Sequence, residues 1–215
     1  MANPTIDPSE HVFISGQTGT GKSKLAEIYL AGFTTPVIKL DTKGEVFERR
    51  KKNLDQWHGL KEKIDFDICY SMDQVRESEH EKIIYAPSFE ELNEDHYNEL
   101  MKFVYNKENT TLWIDELMEV APSPHRYPSY LKALYTRGRS KEVSVWACTQ
   151  RPSDIPSICL ANSTHYFIFA MQLPQDRDKI SKATGKLEFL IQPTGHDFFY
   201  WRIGSEHVFR SRLVF

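Results

Sequence analysis

Short apolar runs alternate along the chain with stretches whose apolar positions recur at helical period, and that alternation predicts an α/β fold on a mostly parallel sheet. Residues 11–15 read as a first strand ending at Gly16, and a helix follows from Gly21 with Leu25, Ile28, Tyr29 and Phe33 on one face. Residues 36–40 read as a second strand, the charged stretch 44–63 as helical, and 82–85 as a weaker strand. Over 88–107, Ser88 and Glu91 have capping-box spacing and Phe89, Leu92, Tyr97, Leu100, Met101 and Val104 fall at helical period. A buried strand is expected at 110–114, a proline-rich loop at 121–128, a helix to Arg137, and further buried strands at 143–149 and 165–171. A polar helix over 174–184 stops at Gly185. Strands at 197–203 and 207–215 flank Gly204 and Ser205 as a β-hairpin.

Composition changes this picture little. Hydrophobic residues at 40% and charged residues at 27% exclude wholesale disorder and collagen-like structure, and 215 residues suit one large domain, or a tight pair sharing a core, with a sizeable interior. No apolar stretch approaches the roughly 20 residues that span a bilayer, so no stable membrane insertion is expected. The N-terminus carries Asp7 and Glu10 and shows no apolar core before Val12, unlike a secretory signal. Cys69, Cys148 and Cys159 form no C-x-x-C pair and read as reduced, buried thiols of a cytosolic protein. The eight histidines show no zinc-ligand spacing.

Charge is more informative by region than in total. The net of −3 conceals 10 acids against 10 bases in 1–72, 13 against 4 in 73–119, and 7 against 13 in 120–215. That asymmetry is a hint about surfaces and alone decides nothing about a partner. The basic run 49–52 reads as a solvated helix face, and the aromatic run 198–201 as sheet core.

The segment Gly16-Gln-Thr-Gly-Thr-Gly-Lys-Ser23 fits G-x-x-x-x-G-K-[ST] between a predicted strand and a predicted helix. Its glycines let backbone N–H groups wrap a phosphate, the helix N-terminus favours an anion, and Lys22 brings a charge to the β- and γ-phosphates. Gly16, Gln17, Thr18, Gly19, Thr20, Gly21, Lys22 and Ser23 are thus the candidate ATP contacts, with Ser23 also a Mg²⁺ ligand. At the tip of the strand 110–114 stand paired carboxylates: Asp115 can hold the Mg²⁺ shell and Glu116 can polarise an attacking water. Strand ends also carry acids merely because they are solvated; the upstream phosphate loop favours the chemical reading. Gln150, at the tip of the strand 143–149, could sense the γ-phosphate, since strand C-termini converge on the ligand in open α/β sheets. Arg137 and Arg139 could stabilise transition-state charge on a neighbouring subunit's ATP, or simply complement a helix C-terminus.

Together with Asp41-Thr-Lys-Gly-Glu45 and the run Ala147-Cys-Thr-Gln-Arg-Pro-Ser-Asp-Ile-Pro156, these motifs resemble the FtsK/HerA superfamily of ring-forming, DNA-pumping P-loop ATPases. Cys148 departs from the superfamily's alanine-threonine-glutamine-arginine-proline strand end. The bare core resembles the genome-packaging ATPases of icosahedral viruses with an internal membrane, of the tectivirus and archaeal turreted virus type. That resemblance implies a three-layer RecA/FtsK-like fold over residues 1–215, with 44–110 a family-variable insertion. It further implies ATP and Mg²⁺ as cofactors, a homohexameric ring threaded by double-stranded DNA, contact with capsid vertex proteins, and a place in the host cytoplasm or the virion. By the same resemblance Glu116 is the catalytic base, Gln150 the sensor, and Arg137 or Arg139 the trans-acting finger. Two other classes compete: a P-loop small-molecule kinase, and a DNA-transfer or phage-assembly ATPase of the same superfamily. A water-activating Glu116 favours hydrolysis over transfer to a second substrate.

Overall fold

The computed structural model describes residues 4–214. Its centre is a nine-stranded sheet in the order β3-β4-β2-β5-β6-β1-β7-β8-β9. The strands are β1 (Val12–Ser15), β2 (Val37–Leu40), β3 (Asp67–Cys69), β4 (Lys82–Tyr85), β5 (Thr111–Ile114), β6 (Ser144–Thr149), β7 (His165–Ile168), β8 (Asp197–Arg202) and β9 (Phe209–Arg212). All ladders from β3 to β7 are parallel, and β8 and β9 add antiparallel. The expected mostly parallel sheet with a C-terminal hairpin is what the chain forms.

Each central strand is apolar on both faces because helices and loops cover both, the condition of a parallel sheet. Phe13, Leu112, Ile114, Val145 and Ala147 face one core, against α4 (Glu94–Lys107), α5 (Leu117–Val120), α6 (Ser129–Arg137), α7 (Ser157–Ala161) and α8 (Pro174–Thr184). Val12, Ile14, Trp113, Trp146 and Cys148 face the other, against α1 (Lys22–Ala31) and the segment carrying Trp57 and Phe66. The aromatic run of β8 divides between the two cores, with Phe198 and Tyr200 on one face and Phe199 and Trp201 on the other. It is sheet core, as its alternation suggests. All three cysteines are buried and free, and burial pushes the Cys148 and Cys159 thiols up to about 12.

Several expectations fail locally. The charged stretch 44–63 is helical only over α2 (Glu45–Lys51); Asn53 then takes a positive φ of 52° and the chain turns so that Trp57 can bury edge-on against Trp113. Nor is the basic run merely solvated. Arg49 turns inward, at 2.9 Å from Glu45 and 2.5 Å from the buried Glu27. Strand β3 and helix α3 (Met72–Glu77) were not expected at all. The helix expected from Ser88 starts at Glu94, where the Asn93 side chain accepts from the N–H groups of Asp95 and His96. The Glu91 carboxylate does not close a capping box; it accepts instead from the Tyr85 hydroxyl at 2.8 Å. Finally, the strand expected over 165–171 leaves the ladder after Ile168, and its buried continuation passes beneath the phosphate loop. Among the described residues no helix is long and apolar enough to cross a membrane.

Candidate active site

Strand β1 ends in the loop from Gly16 to Gly21, at the C-terminal edge of the sheet between β6 and β7. The loop is pinned from both sides: Gly16 N–H donates to the Thr149 carbonyl at 3.2 Å and Gln17 N–H to that of Ala170 at 2.8 Å. A side chain at Gly16 would place its Cβ 2.6 Å from that of Phe169, so glycine is required by close approach. Gly19 and Gly21 are required by φ angles of 82° and 107°. Thr20 closes the turn through its hydroxyl on the Gln17 carbonyl at 2.8 Å, and Lys22 lies along the loop with its ammonium 3.0 Å from the same oxygen. Burial pulls the Lys22 ammonium below the usual lysine range.

The paired carboxylates stand where β5 ends, two strands from β1. Ser23 donates to Asp115 Oδ1 at 2.8 Å, which joins the start of α1 to the tip of β5. Gln150, at the tip of β6, donates from Nε2 to Glu116 Oε2 at 3.0 Å and accepts from Thr18 at 2.9 Å. Its backbone N–H also reaches Glu116, at 3.3 Å. The sequence-predicted residues of the loop, Asp115, Glu116 and Gln150 therefore converge. Thr18, Gly19, Gly21, Lys22, Ser23, Asp115 and Gln150 line one open cavity of about 450 Å³.

One further residue joins them that the motifs left without a role. Lys43, in the turn after β2, lies 3.2 Å from Glu116 and 3.9 Å from Asp115. Burial lowers its basicity, but Asp115 and then Glu116 outweigh that and raise its pKa. The available signal was its place in the strand-end motif 41–45, at the same sheet edge as the phosphate loop.

Arg151 acts behind the site. It pairs with the buried Asp176 at 3.3 Å and with Asp154 at 3.1 Å, while Ser153 donates to Asp176, so the turn after Gln150 is anchored to α8. Arg137 and Arg139 do not meet the site. They are exposed at the C-terminal end of α6 and in the turn after it, before β6 begins, and Arg139 exerts its charge on Asp7 and His11 just ahead of β1. Between that end and Thr149, β6 rises roughly 17 Å at about 3.3 Å per residue. Gly138 between them is a packing residue, since a Cβ there would lie 2.9 Å from the Val143 carbonyl oxygen.

The residues present fit ATP and Mg²⁺. No atom lies within 4 Å of where a Gly19 side chain would stand, so the loop is open towards the cavity. A hydroxyl and a carboxylate already in contact supply the hard oxygen ligands that Mg²⁺ takes together with phosphate oxygens.

No protein-family model matches the chain, and no curated protein matches its sequence. Solved structures do match. The genome packaging NTPase B204 from Sulfolobus turreted icosahedral virus 2, in complex with ATP-gammaS, is 15% identical with a TM-score of 0.75, over 98% of this chain and 100% of that one. VirB4 of Thermoanaerobacter pseudethanolicus is 12% identical with a TM-score of 0.66, over 99% and 91%. The pCW3 conjugation coupling protein TcpA is 12% identical with a TM-score of 0.61, over 95% of this chain and 60% of that one. The chain thus has the fold of the P-loop ATPases to which these structures belong.

Proposed function

We propose that the chain is an ATP-hydrolysing motor that translocates double-stranded DNA and packages a viral genome into a preformed capsid. The observation that carries this reading is the contact of Gln150 with both Thr18 of the phosphate loop and Glu116 beside Asp115, on a fold that matches B204 along its whole length. Lys22 and the loop N–H groups hold the β- and γ-phosphates, and Ser23 with Asp115 would hold Mg²⁺. Bound there, the ion would neutralise phosphate charge. Glu116 orients the attacking water and takes up its proton, and Gln150 keeps that carboxylate aligned with the loop.

Arg137 and Arg139 lie too far from their own phosphate loop to serve it, so they serve a neighbour's in a ring, which we take to be a homohexamer. Capsid vertex proteins complete the partner set, and the motor works in the host cytoplasm or on the virion. Residues 1–215 act as one ATPase unit, in which the family-variable stretch 44–110 supplies β3 and β4. A DNA-transfer ATPase is the second reading, favoured by the likeness to TcpA; the chain spans only 60% of that protein but all of B204. The test is ATPase rate against added double-stranded DNA at two salt concentrations. DNA stimulates the motor, and less so as salt rises; a rate indifferent to DNA returns the chain to the small-molecule kinases.

A further inference from the structure

Lys43 is set up as deliberately as the phosphate loop. Asp41, buried at the end of β2, accepts from the N–H groups of Glu45 and Val46 at 2.9 Å and of Lys43 at 3.3 Å, which fixes the turn. Gly44 makes that turn possible with a φ of 68°. Helix α2, which follows, is tied down in its turn: Glu45 receives the buried Lys39 at 2.7 Å and Arg49 at 2.9 Å. Lys43 therefore projects from a fixed turn into the phosphate cavity, which Lys22 also lines. Its ammonium lies nearer Glu116 than Asp115, on the side where the water attacks and so on the side of the last phosphate in the chain.

We propose that Lys43 is a specificity-determining residue that contacts the terminal phosphate and lets the site distinguish a nucleoside triphosphate from a diphosphate. The loop N–H groups and Lys22 keep a β-phosphate to engage in either nucleotide, although Lys22 also reaches the γ-phosphate, whereas Lys43 has an anionic partner from the ligand only when the third phosphate is present. Both lysines line the cavity; burial first and the charge of Lys43 as a further cause lower the Lys22 pKa, and a polyphosphate between the two gives both a shared anionic partner. A charge-assisted contact of this kind is about twice as strong as a neutral one. The inference rests on the nucleotide reading of the site, and the experiment separates the two.

Calorimetric titration with ATPγS and with ADP, each with Mg²⁺, is made on the wild type, K43M, K43R and K22A. K43M is expected to lose roughly tenfold or more in affinity for ATPγS while its ADP affinity stays within about twofold, and K43R is expected to keep much of the preference. K43Q provides the same reading should K43M melt well below the wild type. Equal losses for both nucleotides, or no loss for either, overturn the role of Lys43 while leaving the site intact. A wild type that binds neither nucleotide, or a K22A variant that binds both normally, overturns the nucleotide reading itself and this inference with it.

Discussion

The two ends of the parallel sheet use the same buried polar chemistry to opposite effect. At the N-terminal end the two buried histidines are satisfied within the fold. His11 accepts the Val145 N–H at 2.9 Å, and burial lowers its pKa to about 4, so it sits neutral. His165 is shared between Glu10 at 2.7 Å and the Tyr200 hydroxyl at 2.9 Å, and Arg202 covers Glu10 at 2.8 Å. At the C-terminal end, Ser23, Lys43, Asp115, Glu116 and Gln150 meet from four separate segments of the chain, and all but Glu116 line an open cavity. The first arrangement closes a structure. The second assembles groups whose contacts can be exchanged for those of a ligand, and the contrast locates function at one edge of the fold.

The contrast breaks first if Lys22→Ala keeps its nucleotide: that variant should lose both detectable binding by calorimetry and turnover. Next, replacing Arg137 and Arg139 together with alanine should cost roughly 10³–10⁵ in ATPase rate where a finger operates, without loss of ATP binding. Mixing that chain with Glu116→Gln should restore part of the rate, and absence of rescue at every ratio would remove the finger from the subunit boundary. Glu116→Gln alone should bind ATP with near-wild-type affinity and turn over roughly 10²–10⁴ more slowly; unchanged hydrolysis excludes it as the base.

The smallest effect belongs to the N-terminal end and concerns stability alone. His11 has a folded pKa below its unfolded one, so its stability contribution is complete above about pH 6.5 and is lost as pH falls towards 4. Complete only below both pKa values, that loss amounts to about 3 kcal/mol. Urea titrations at pH 7 and pH 5 should show a smaller drop for His11→Asn, which keeps an acceptor for Val145 but cannot titrate. Its nucleotide affinity should be unchanged; equal drops in the two proteins would deny His11 the role.

What was legible in the sequence follows from how local the signal is. The phosphate loop and the tips of β5 and β6 are contiguous motifs whose chemistry depends on a strand ending where an open sheet presents its ligand, so residue order alone brought them together. The hairpin around Gly204, which takes a φ of 82°, was equally local. Strand β3, at three residues, is too short to show a period. The capping spacing at Ser88 was overridden because Glu91 found Tyr85, a residue of another element. Arg49 looked solvated within a run of cations, and only the fold brings Glu27 beneath it. Lys43 was overlooked for the same reason: its meaning depends on carboxylates more than seventy positions away.

The double grip of Gln150 ties Glu116 to the cavity. Both oxygens of Glu116 are engaged, one by the Gln150 backbone N–H and the other by its amide and by Lys43. Gln150 and Lys43 also line the cavity, so whatever fills it bears on the orientation of Glu116. Under the proposed function, a phosphate chain that recruits Thr18 and Lys43 would release part of that grip, and the site would act as a latch whose key is its own fuel.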